Sequence, residues 1–310
     1  MPIAYIFPGQ GSQYAGMGKD LANNFAVARE VFEEADNVLG FSLSNLCFEG
    51  PAEQLQLTEN TQPAILATSI ACLRAMETAG FPKPDFIAGH SLGEYSALVA
   101  GGALKLGDAL RAVRLRGQYM QEAVPVGVGA MAAVMGAELA DIERVCAEAS
   151  EGEVCAPANI NSTNQVVIAG NATAIDRAIE LLKQAGAKRV IKLNVSAPFH
   201  CALMMPAQER LTVDLNRVEF SDLEMPLVTN AAAGLIGKGE EARVALIKQV
   251  SSPVRWLESI QLLIGKGVNT FVEVGPGKVL SGLIRQINRD VQCLNVEDST
   301  LREKLQLVTG

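Results

Sequence analysis

A serine flanked by glycines is the feature of this sequence that most clearly indicates chemistry. Residues 86–98 read Phe-Ile-Ala-Gly-His-Ser-Leu-Gly-Glu-Tyr-Ser-Ala-Leu, so a Gly-x-Ser-x-Gly pattern follows a short apolar run and precedes a helical pattern. On a sharp strand-to-helix turn the serine backbone is strained, and Cβ atoms two residues to either side would crowd it. Gly89 and Gly93 remove those atoms. We therefore predict that Ser91 is a nucleophile, an ordinary glycine-rich turn being the alternative.

A serine nucleophile at neutral pH needs a base, and histidine is the usual one. The chain has two histidines, His90 and His200. His90 adjoins Ser91, and neighbours on a tight turn project in different directions, so His200 is the predicted base unless it is a structural histidine. The adjacent Cys201 is not expected to act as a thiol nucleophile, because neighbouring side chains seldom pair.

The order of these residues does not fit an ordinary α/β-hydrolase, which places an acid between the serine and a histidine near the C-terminus. His200 lies 110 residues before the end of the chain. The acidic residues between Ser91 and His200 fall on predicted helices or in a predicted inserted domain. We therefore expect a Ser–His dyad that is oriented by a group other than a carboxylate.

The elements around Ser91 have the pattern of an α/β fold. Short apolar strands are predicted at Ile3–Phe7, 85–88 and 271–274, and helices at 17–37, 62–79, 108–122 and 279–287. Strand–loop–helix units of this kind favour helices layered on a largely parallel sheet. The predicted fold class is α/β, with a large hydrolase-like domain built on a parallel sheet.

A different pattern interrupts this domain after Pro125. Strands are predicted at 129–135, 154–161, 165–169 and 189–195, with helices at 138–149 and 173–185. This β-α-β-β-α-β order is the ferredoxin-like motif. We predict a small inserted ferredoxin-like α+β domain at residues 126–196, and a large catalytic domain formed by residues 1–125 and 197–310. Asn159 and Asn161 lie near the junction, where they either line the cleft or are hydrogen-bonded turn residues.

Composition excludes several classes of protein. The chain is 49% hydrophobic and 19% charged, as in a globular protein, and its net charge of −8 disfavours non-specific nucleic-acid binding. Its six cysteines form no C-x-x-C pair or metal-ligand cluster, so we expect no metal and reduced thiols in a cytoplasmic protein. The N-terminus does not resemble a signal peptide, and no apolar run approaches the roughly 20 residues of a membrane span, so no membrane association is expected.

Several further motifs give the chain a family resemblance along essentially its whole length. They are Phe7-Pro8-Gly9-Gln10-Gly11-Ser12-Gln13, Gly89-His90-Ser91-Leu92-Gly93-Glu94, Arg116-Gly117-x-x-Met120-Gln121, Ala197-Pro198-Phe199-His200, Gln249 with Pro253-Val254-Arg255-Trp256, and Glu273-Val274-Gly275-Pro276-Gly277. In these motifs and in their order the sequence closely resembles the bacterial malonyl-CoA:acyl carrier protein transacylases. That family supplies malonyl groups to fatty acid synthesis.

The resemblance implies a role for each matching residue. Ser91 would carry the acyl group, His200 would be the base, and the Gln249 backbone carbonyl would orient His200. The backbone N–H groups of Gln10 and Leu92 would form the oxyanion hole. The substrate-binding residues would be Arg116, which would hold the free malonyl carboxylate, Phe199, which suits malonyl better than a branched extender, and Asn159, if it lines the cleft.

The implied reaction moves malonyl from malonyl-CoA, a substrate, to the pantetheine thiol of acyl carrier protein, with no bound cofactor. Two other enzymes would use the same dyad: a discrete acyltransferase that serves a polyketide synthase, and an acyl-CoA thioesterase or other serine hydrolase. A protein that binds acyl carriers without catalysis is a third alternative. Lys188, Arg189 and Lys192 are candidates for a basic patch that meets the acidic carrier.

Overall fold

The computed structural model describes residues 2–195 and 197–309, and its strands form two sheets. In chain order the strands are β1 (Ile3–Phe7), β2 (Phe86–Gly89), β3 (Gly129–Met135), β4 (Cys155–Ser162), β5 (Gln165–Asn171), β6 (Arg189–Lys192), β7 (Leu227–Val228), β8 (Leu235–Ile236), β9 (Thr270–Val274) and β10 (Gln292–Val296). The larger sheet has the order β10-β9-β1-β2-β7-β8, and the smaller has the order β4-β5-β3-β6.

Helices surround both sheets. Within the described residues they are α1 (Lys19–Asn24), α2 (Ala26–Leu39), α3 (Leu43–Glu49), α4 (Ala52–Leu55), α5 (Thr58–Ala79), α6 (Gly93–Ala100), α7 (Leu106–Glu122), α8 (Leu139–Ser150), α9 (Ala172–Gln184), α10 (Met205–Leu215), α11 (Gly239–Gln249), α12 (Trp256–Gly265), α13 (Val279–Ile287) and α14 (Leu301–Thr309). A short 3-10 turn at Ala202–Met204 precedes α10. None of the described helices is both long enough and apolar enough to span a bilayer.

The larger sheet is parallel except for its β7–β8 edge, and helices cover both of its faces. Successive residues of β1 point to opposite faces: Tyr5 and Phe7 join the core that includes α5 and α7, whereas Ala4 and Ile6 join the core that includes α12 and α13. A strand buried on both faces reads as a continuous apolar run, which is why Ile3–Phe7 is recognisable in the sequence. The predicted α/β class is confirmed.

The smaller sheet is antiparallel throughout, and its strand order is that of the ferredoxin-like motif. In β3, Ala132 and Val134 pack under α8 and α9, whereas Met131 and Ala133 form a second core with Cys201 on the opposite face. The sheet lies within residues 126–196, but the division into two domains stays a prediction. Its boundary residue 196 lies outside the described residues, as do residues 1 and 310.

Three predicted elements differ from the structure by more than two residues. The helix predicted at 62–79 begins four residues earlier, at Thr58. The helical pattern at 17–37 is two helices, because Phe25 has an extended backbone (φ −129°) that ends α1 and begins α2. The strand predicted at 189–195 ends at Lys192, and the last backbone hydrogen bond to β3 is donated by the Leu193 amide to the Met131 carbonyl oxygen. The Leu193 and Val195 side chains instead line the cleft beside Ser91.

Candidate active site

Ser91 lies on the sharp turn that the sequence predicts. β2 ends at Gly89, α6 begins at Gly93, and Ser91 has a left-handed backbone conformation (φ +51°) that is strained for a residue with a Cβ atom. A Cβ atom on Gly89 would lie 1.9 Å from the Gly93 carbonyl oxygen, and one on Gly93 would lie 2.0 Å from that of Phe7. Both glycines are therefore required by backbone contacts, which accounts for the Gly-x-Ser-x-Gly spacing.

The structure brings Ser91 and His200 together. Ser91 Oγ lies 2.7 Å from His200 Nε2, and His200 Nδ1 lies 2.9 Å from the Gln249 carbonyl oxygen. Because a carbonyl oxygen can only accept a hydrogen bond, Nδ1 carries the hydrogen and Nε2 has a free lone pair. The group that contacts Nδ1 is thus a backbone carbonyl and not a carboxylate. The missing acid predicted a group other than a carboxylate, and the family resemblance implied this carbonyl.

The electrostatic environment keeps His200 neutral. Its side chain is buried, and burial together with the positive charge of Arg116 lowers the pKa of His200 to about 3. The imidazole is therefore uncharged at neutral pH. A neutral imidazole is the form that can accept the serine proton.

Arg116 is buried beside Ser91 rather than solvated on its helix, with 2% of its surface exposed. Its Nη1 donates to Gln62 Oε1 at 2.8 Å, and its Nη2 donates to Gln249 Oε1 at 2.9 Å and to Ser91 Oγ at 3.1 Å. Its Nε has no partner among the described groups. Since Ser91 Oγ accepts from Arg116, the hydroxyl hydrogen of Ser91 is left to point at His200.

The two predicted oxyanion-hole residues flank the nucleophile. Gln10 follows β1 and lines the cavity, and Leu92 is the residue before α6, so its N–H lies at the positive end of that helix. The amide of Ser91 itself donates to Asn230 Oδ1 at 2.6 Å. That amide is thus already occupied.

The second histidine is directed away from the nucleophile. His90 Nε2 lies 2.8 Å from Asn161 Oδ1, and its ring packs edge-on against Trp256. Asn159 and Asn161 belong to β4 and line the cavity, so the alternative that they are turn residues is wrong. Cys201 is buried, donates to the Pro198 carbonyl oxygen, and has a thiol pKa raised to about 11 by burial, which makes it a poor nucleophile.

These residues surround a cavity of about 220 Å³. Its polar end holds Gln10, Gln62, Ser91, Arg116 and His200, and Phe199 lies next to the histidine. Its walls are mostly apolar and come from the smaller sheet, the segment after β6 and α13: Met131, Val167, Leu193, Val195, Val279, Leu280 and Leu283. Among the described residues, no group of three or more His, Cys, Asp or Glu side chains could hold a metal ion.

Three polar residues of the site were missed by the sequence analysis: Gln62, Glu94 and Asn230. Glu94 is buried behind Ser91, where its Oε2 accepts from Gln249 Nε2 and from the Asn230 amide. Burial raises the pKa of its carboxyl to about 7. Glu94 is the only charged residue of α6 and lies three residues after Ser91, which is a usable signal, whereas the types and positions of Gln62 and Asn230 offer none.

Comparison with known proteins identifies the family of the chain. The model of the acyl transferase domain family matches residues 4–306, and the chain belongs to that family. The malonyl CoA-acyl carrier protein transacylase of Bacillus subtilis (strain 168) is 49% identical over 297 residues, which cover 96% of this chain and 93% of that protein.

Solved structures of the family have the same fold. The malonyl CoA-acyl carrier protein transacylase of Coxiella burnetii superposes with a TM-score of 0.98 at 43% identity, covering 100% of this chain and 98% of that one. A malonyl-transacylase in complex with a type II polyketide synthase acyl-carrier protein gives a TM-score of 0.96 at 44% identity, with 99% of each chain covered.

Proposed function

We propose that this acyltransferase moves the malonyl group from malonyl-CoA to the pantetheine thiol of acyl carrier protein in fatty acid biosynthesis, through a malonyl-Ser91 intermediate. One observation carries the proposal: Ser91 Oγ is hydrogen-bonded both to His200 Nε2 and to Arg116 Nη2. A nucleophile placed between a neutral base and a buried cation suits a thioester whose acyl group ends in a carboxylate. The names of the relatives point to the same acyl group and acceptor.

The first half-reaction loads the enzyme. Ser91 Oγ attacks the thioester carbonyl carbon while His200 Nε2 takes the hydroxyl proton. The N–H groups of Gln10 and Leu92 donate to the oxyanion of the tetrahedral intermediate. The C–S bond then breaks, His200 returns the proton to the CoA sulfur, and malonyl-Ser91 remains.

The second half-reaction reverses these steps with a new thiol. His200 takes the proton of the pantetheine thiol, the sulfur attacks the malonyl-Ser91 carbonyl, and the proton goes back to Ser91 Oγ as the ester bond breaks. Both half-reactions balance with His200 as sole proton carrier, which supports a reaction that needs no bound cofactor or metal. Ping-pong kinetics are expected.

Arg116 supplies the preference for malonyl. Its guanidinium forms a fork that matches a carboxylate in a bidentate arrangement, and a buried pair of this kind is stronger than the same pair in water. Phe199 and Asn159 border the same cavity and would shape the space around the acyl group. We also propose a cytoplasmic location, which the six free cysteines support.

Discharge of the loaded enzyme tests the acceptor. Malonyl-Ser91 would be formed with malonyl-CoA, freed of CoA, and incubated with buffer alone or with holo acyl carrier protein, and its decay followed by intact-protein mass spectrometry. We expect a stable adduct in buffer and rapid transfer to the carrier. Rapid hydrolysis in buffer would instead identify a thioesterase.

A polyketide-pathway acyltransferase is the second candidate, since one of the similar structures is bound to a type II polyketide synthase carrier. The same loaded enzyme can be offered carriers of the two pathways side by side. A higher kcat/KM with the polyketide carrier would favour this second candidate.

A further inference from the structure

Glu94 is a buried acid that the proposed mechanism does not use. It lies in the first turn of α6 with 1% of its surface exposed. Its carboxyl does not contact the reacting atoms: Oε2 accepts from Gln249 Nε2 at 2.7 Å and from the Asn230 amide at 3.1 Å. Its Oε1 has no hydrogen-bond partner among the described groups. An ionisable group is costly to bury, so its retention here calls for a role.

The Gln249 side chain connects Glu94 to the substrate end of the site. Its Nε2 donates to Glu94 Oε2 and to the Ser91 carbonyl oxygen, and its Oε1 accepts from Arg116 Nη2. A carboxylate can only accept and a guanidinium can only donate. Turning the amide over would place oxygen against oxygen at Glu94 and N–H against N–H at Arg116. The ionised Glu94 and the Ser91 carbonyl oxygen therefore together hold the nitrogen end of the amide, which leaves its oxygen facing the arginine.

The acceptors around Arg116 are all neutral. Its terminal nitrogens donate to the amide oxygens of Gln62 and Gln249 and to the hydroxyl of Ser91. A carboxylate in direct contact with the guanidinium would compete with a carboxylate on the substrate. Because Glu94 acts one residue away, it orients the cation through Gln249 without occupying its binding edge.

We propose that Glu94 is a positioning residue that acts through the Gln249 amide to hold Arg116 toward Ser91, and so sets the preference for acyl groups that end in a carboxylate. This inference rests on the proposed malonyl transfer and adds a specificity determinant to it. The substrate class that it concerns is the carboxyacyl thioesters, as opposed to simple acyl thioesters such as acetyl-CoA.

Because Glu94 ionises, the preference for malonyl over acetyl should depend on pH. Burial raises the pKa of this carboxyl to about 7. The charged or titratable groups that face it are Arg116 from α7 and Tyr95 on its own helix, while Gln249 from α11 and Asn230 after β7 are neutral. Below pH 7 the carboxyl is protonated and neutral, so its hydrogen bond from Gln249 is no longer charge-assisted and holds the amide less firmly. The preference for malonyl over acetyl is therefore expected to fall as the pH drops from 8 to 6.

The test compares kcat/KM for loading from malonyl-CoA and from acetyl-CoA. In Glu94→Gln we expect the malonyl-to-acetyl ratio to fall about fivefold, because a charge-assisted hydrogen bond is replaced by a neutral one. The ratio should also become independent of pH. In an Arg116→Ala background the same substitution should leave the ratio unchanged, since its effect passes through Arg116.

Glu273→Gln is the matched control. Glu273 is also buried, but its carboxylate accepts from the amides of Leu280 and Ser281 at the start of α13 and lies outside this network. It should leave the malonyl-to-acetyl ratio at the wild-type value. If Glu94→Gln does not fold, the pH dependence of the wild-type ratio decides instead.

Two results would overturn the inference: equal losses for both acyl groups in Glu94→Gln, or a wild-type ratio that is constant from pH 6 to 8. Either would leave Glu94 as a purely structural residue. Failure of the proposed function is a different observation, because wild-type protein would then not load malonyl at all.

Discussion

Ser91 Oγ lies between two nitrogen atoms with opposite tasks. His200 Nε2, 2.7 Å away, has a lone pair for the serine proton, whereas Arg116 Nη2, 3.1 Å away, donates to the same oxygen. The arginine thus holds the hydroxyl in the rotamer that presents its hydrogen to the base. An incoming carboxylate would take over the guanidinium and release the oxygen for attack.

Removal of Arg116 should lower the rate of malonyl loading much more than the rate of acetyl loading. In Arg116→Ala we expect kcat/KM for malonyl loading to fall ~10-fold or more, since hydrogen bonds to a charged group contribute about 1.5–3 kcal/mol. Acetyl loading should be affected much less, because acetyl has no carboxylate to bind. Steady-state loading assays with the two CoA esters measure this. Equal losses of kcat/KM for malonyl and acetyl loading would show that Arg116 does not bind the malonyl carboxylate.

The low basicity of His200 predicts an unusual pH profile for the dyad. Its pKa is lowered to about 3, so the imidazole stays neutral as the pH falls through the ordinary histidine range near 6.5. Loading with acetyl-CoA, which has no carboxylate for Arg116 to bind, should therefore keep a constant kcat/KM from pH 8 down to pH 5. An acid limb near pH 6.5 in that profile would show a histidine of ordinary pKa.

Among the residues of the site, the sequence predicts those whose type is rare in the chain or specific to a chemical role. With two histidines in the chain, the base follows almost by elimination, and the missing acid predicts a dyad. The contact of Gln249 with His200 and the proposed roles of Gln10 and Leu92 involve backbone atoms, which no side-chain pattern reveals. The family resemblance implies these roles. Gln62 and Asn230 are neutral residues of common type whose positions matter only in three dimensions.

The elbow between β2 and α6 is the element that places the nucleophile. A Cβ atom on Gly89 would lie 1.9 Å from the Gly93 carbonyl oxygen, a contact that only backbone movement could relieve. We expect Gly89→Ala to lower the free energy of unfolding by about 3 kcal/mol, at the upper end for overpacked positions. Urea denaturation followed by circular dichroism measures the change.

Gly265→Ala is the control for this prediction. Gly265 is the last residue of α12. A Cβ atom there would have no heavy atom within 4 Å apart from its chain neighbours and the backbone of its own helix. Its stability should match that of the wild type or exceed it slightly, because alanine favours a helix. Equal stabilities for the two variants would contradict the account of the elbow.

Most elements were predictable because their apolar periodicity is strong. β1, β3 and α13 have the predicted bounds, and the β-α-β-β-α-β order gave the topology of the smaller sheet. The errors occur where tertiary contacts override the local pattern. Phe25 leaves the helical conformation and packs against the main core, and β6 ends before Leu193, whose side chain lines the cleft.

At the scale of the whole molecule, a net charge of −8 would repel an acidic carrier protein, so docking requires a local basic patch. Lys188 and Arg189 are exposed beside β6, while Lys192 is paired with Asp176. Double charge reversal at Lys188 and Arg189 should slow transfer to the carrier, most strongly at low salt, without slowing malonyl loading. Stopped-flow transfer at two ionic strengths measures this.

Lys83→Glu provides the control for the charge reversal. Lys83 precedes β2 and is exposed at the end of that strand opposite Ser91, where it pairs with Glu224. It should leave both half-reactions unchanged. If reversal at Lys188 and Arg189 slowed loading and transfer equally, the docking assignment would be wrong.

The central claim is that malonyl is carried on Ser91. Intact-protein mass spectrometry after brief exposure to malonyl-CoA tests it most directly, with wild type and Ser91→Ala compared under the same conditions. We expect the wild type to gain the mass of one malonyl group, mapped by peptide analysis to Ser91, and the variant to gain none. An adduct of the same mass on Ser91→Ala, or a wild type that turns over malonyl-CoA without any adduct on Ser91, would contradict the account.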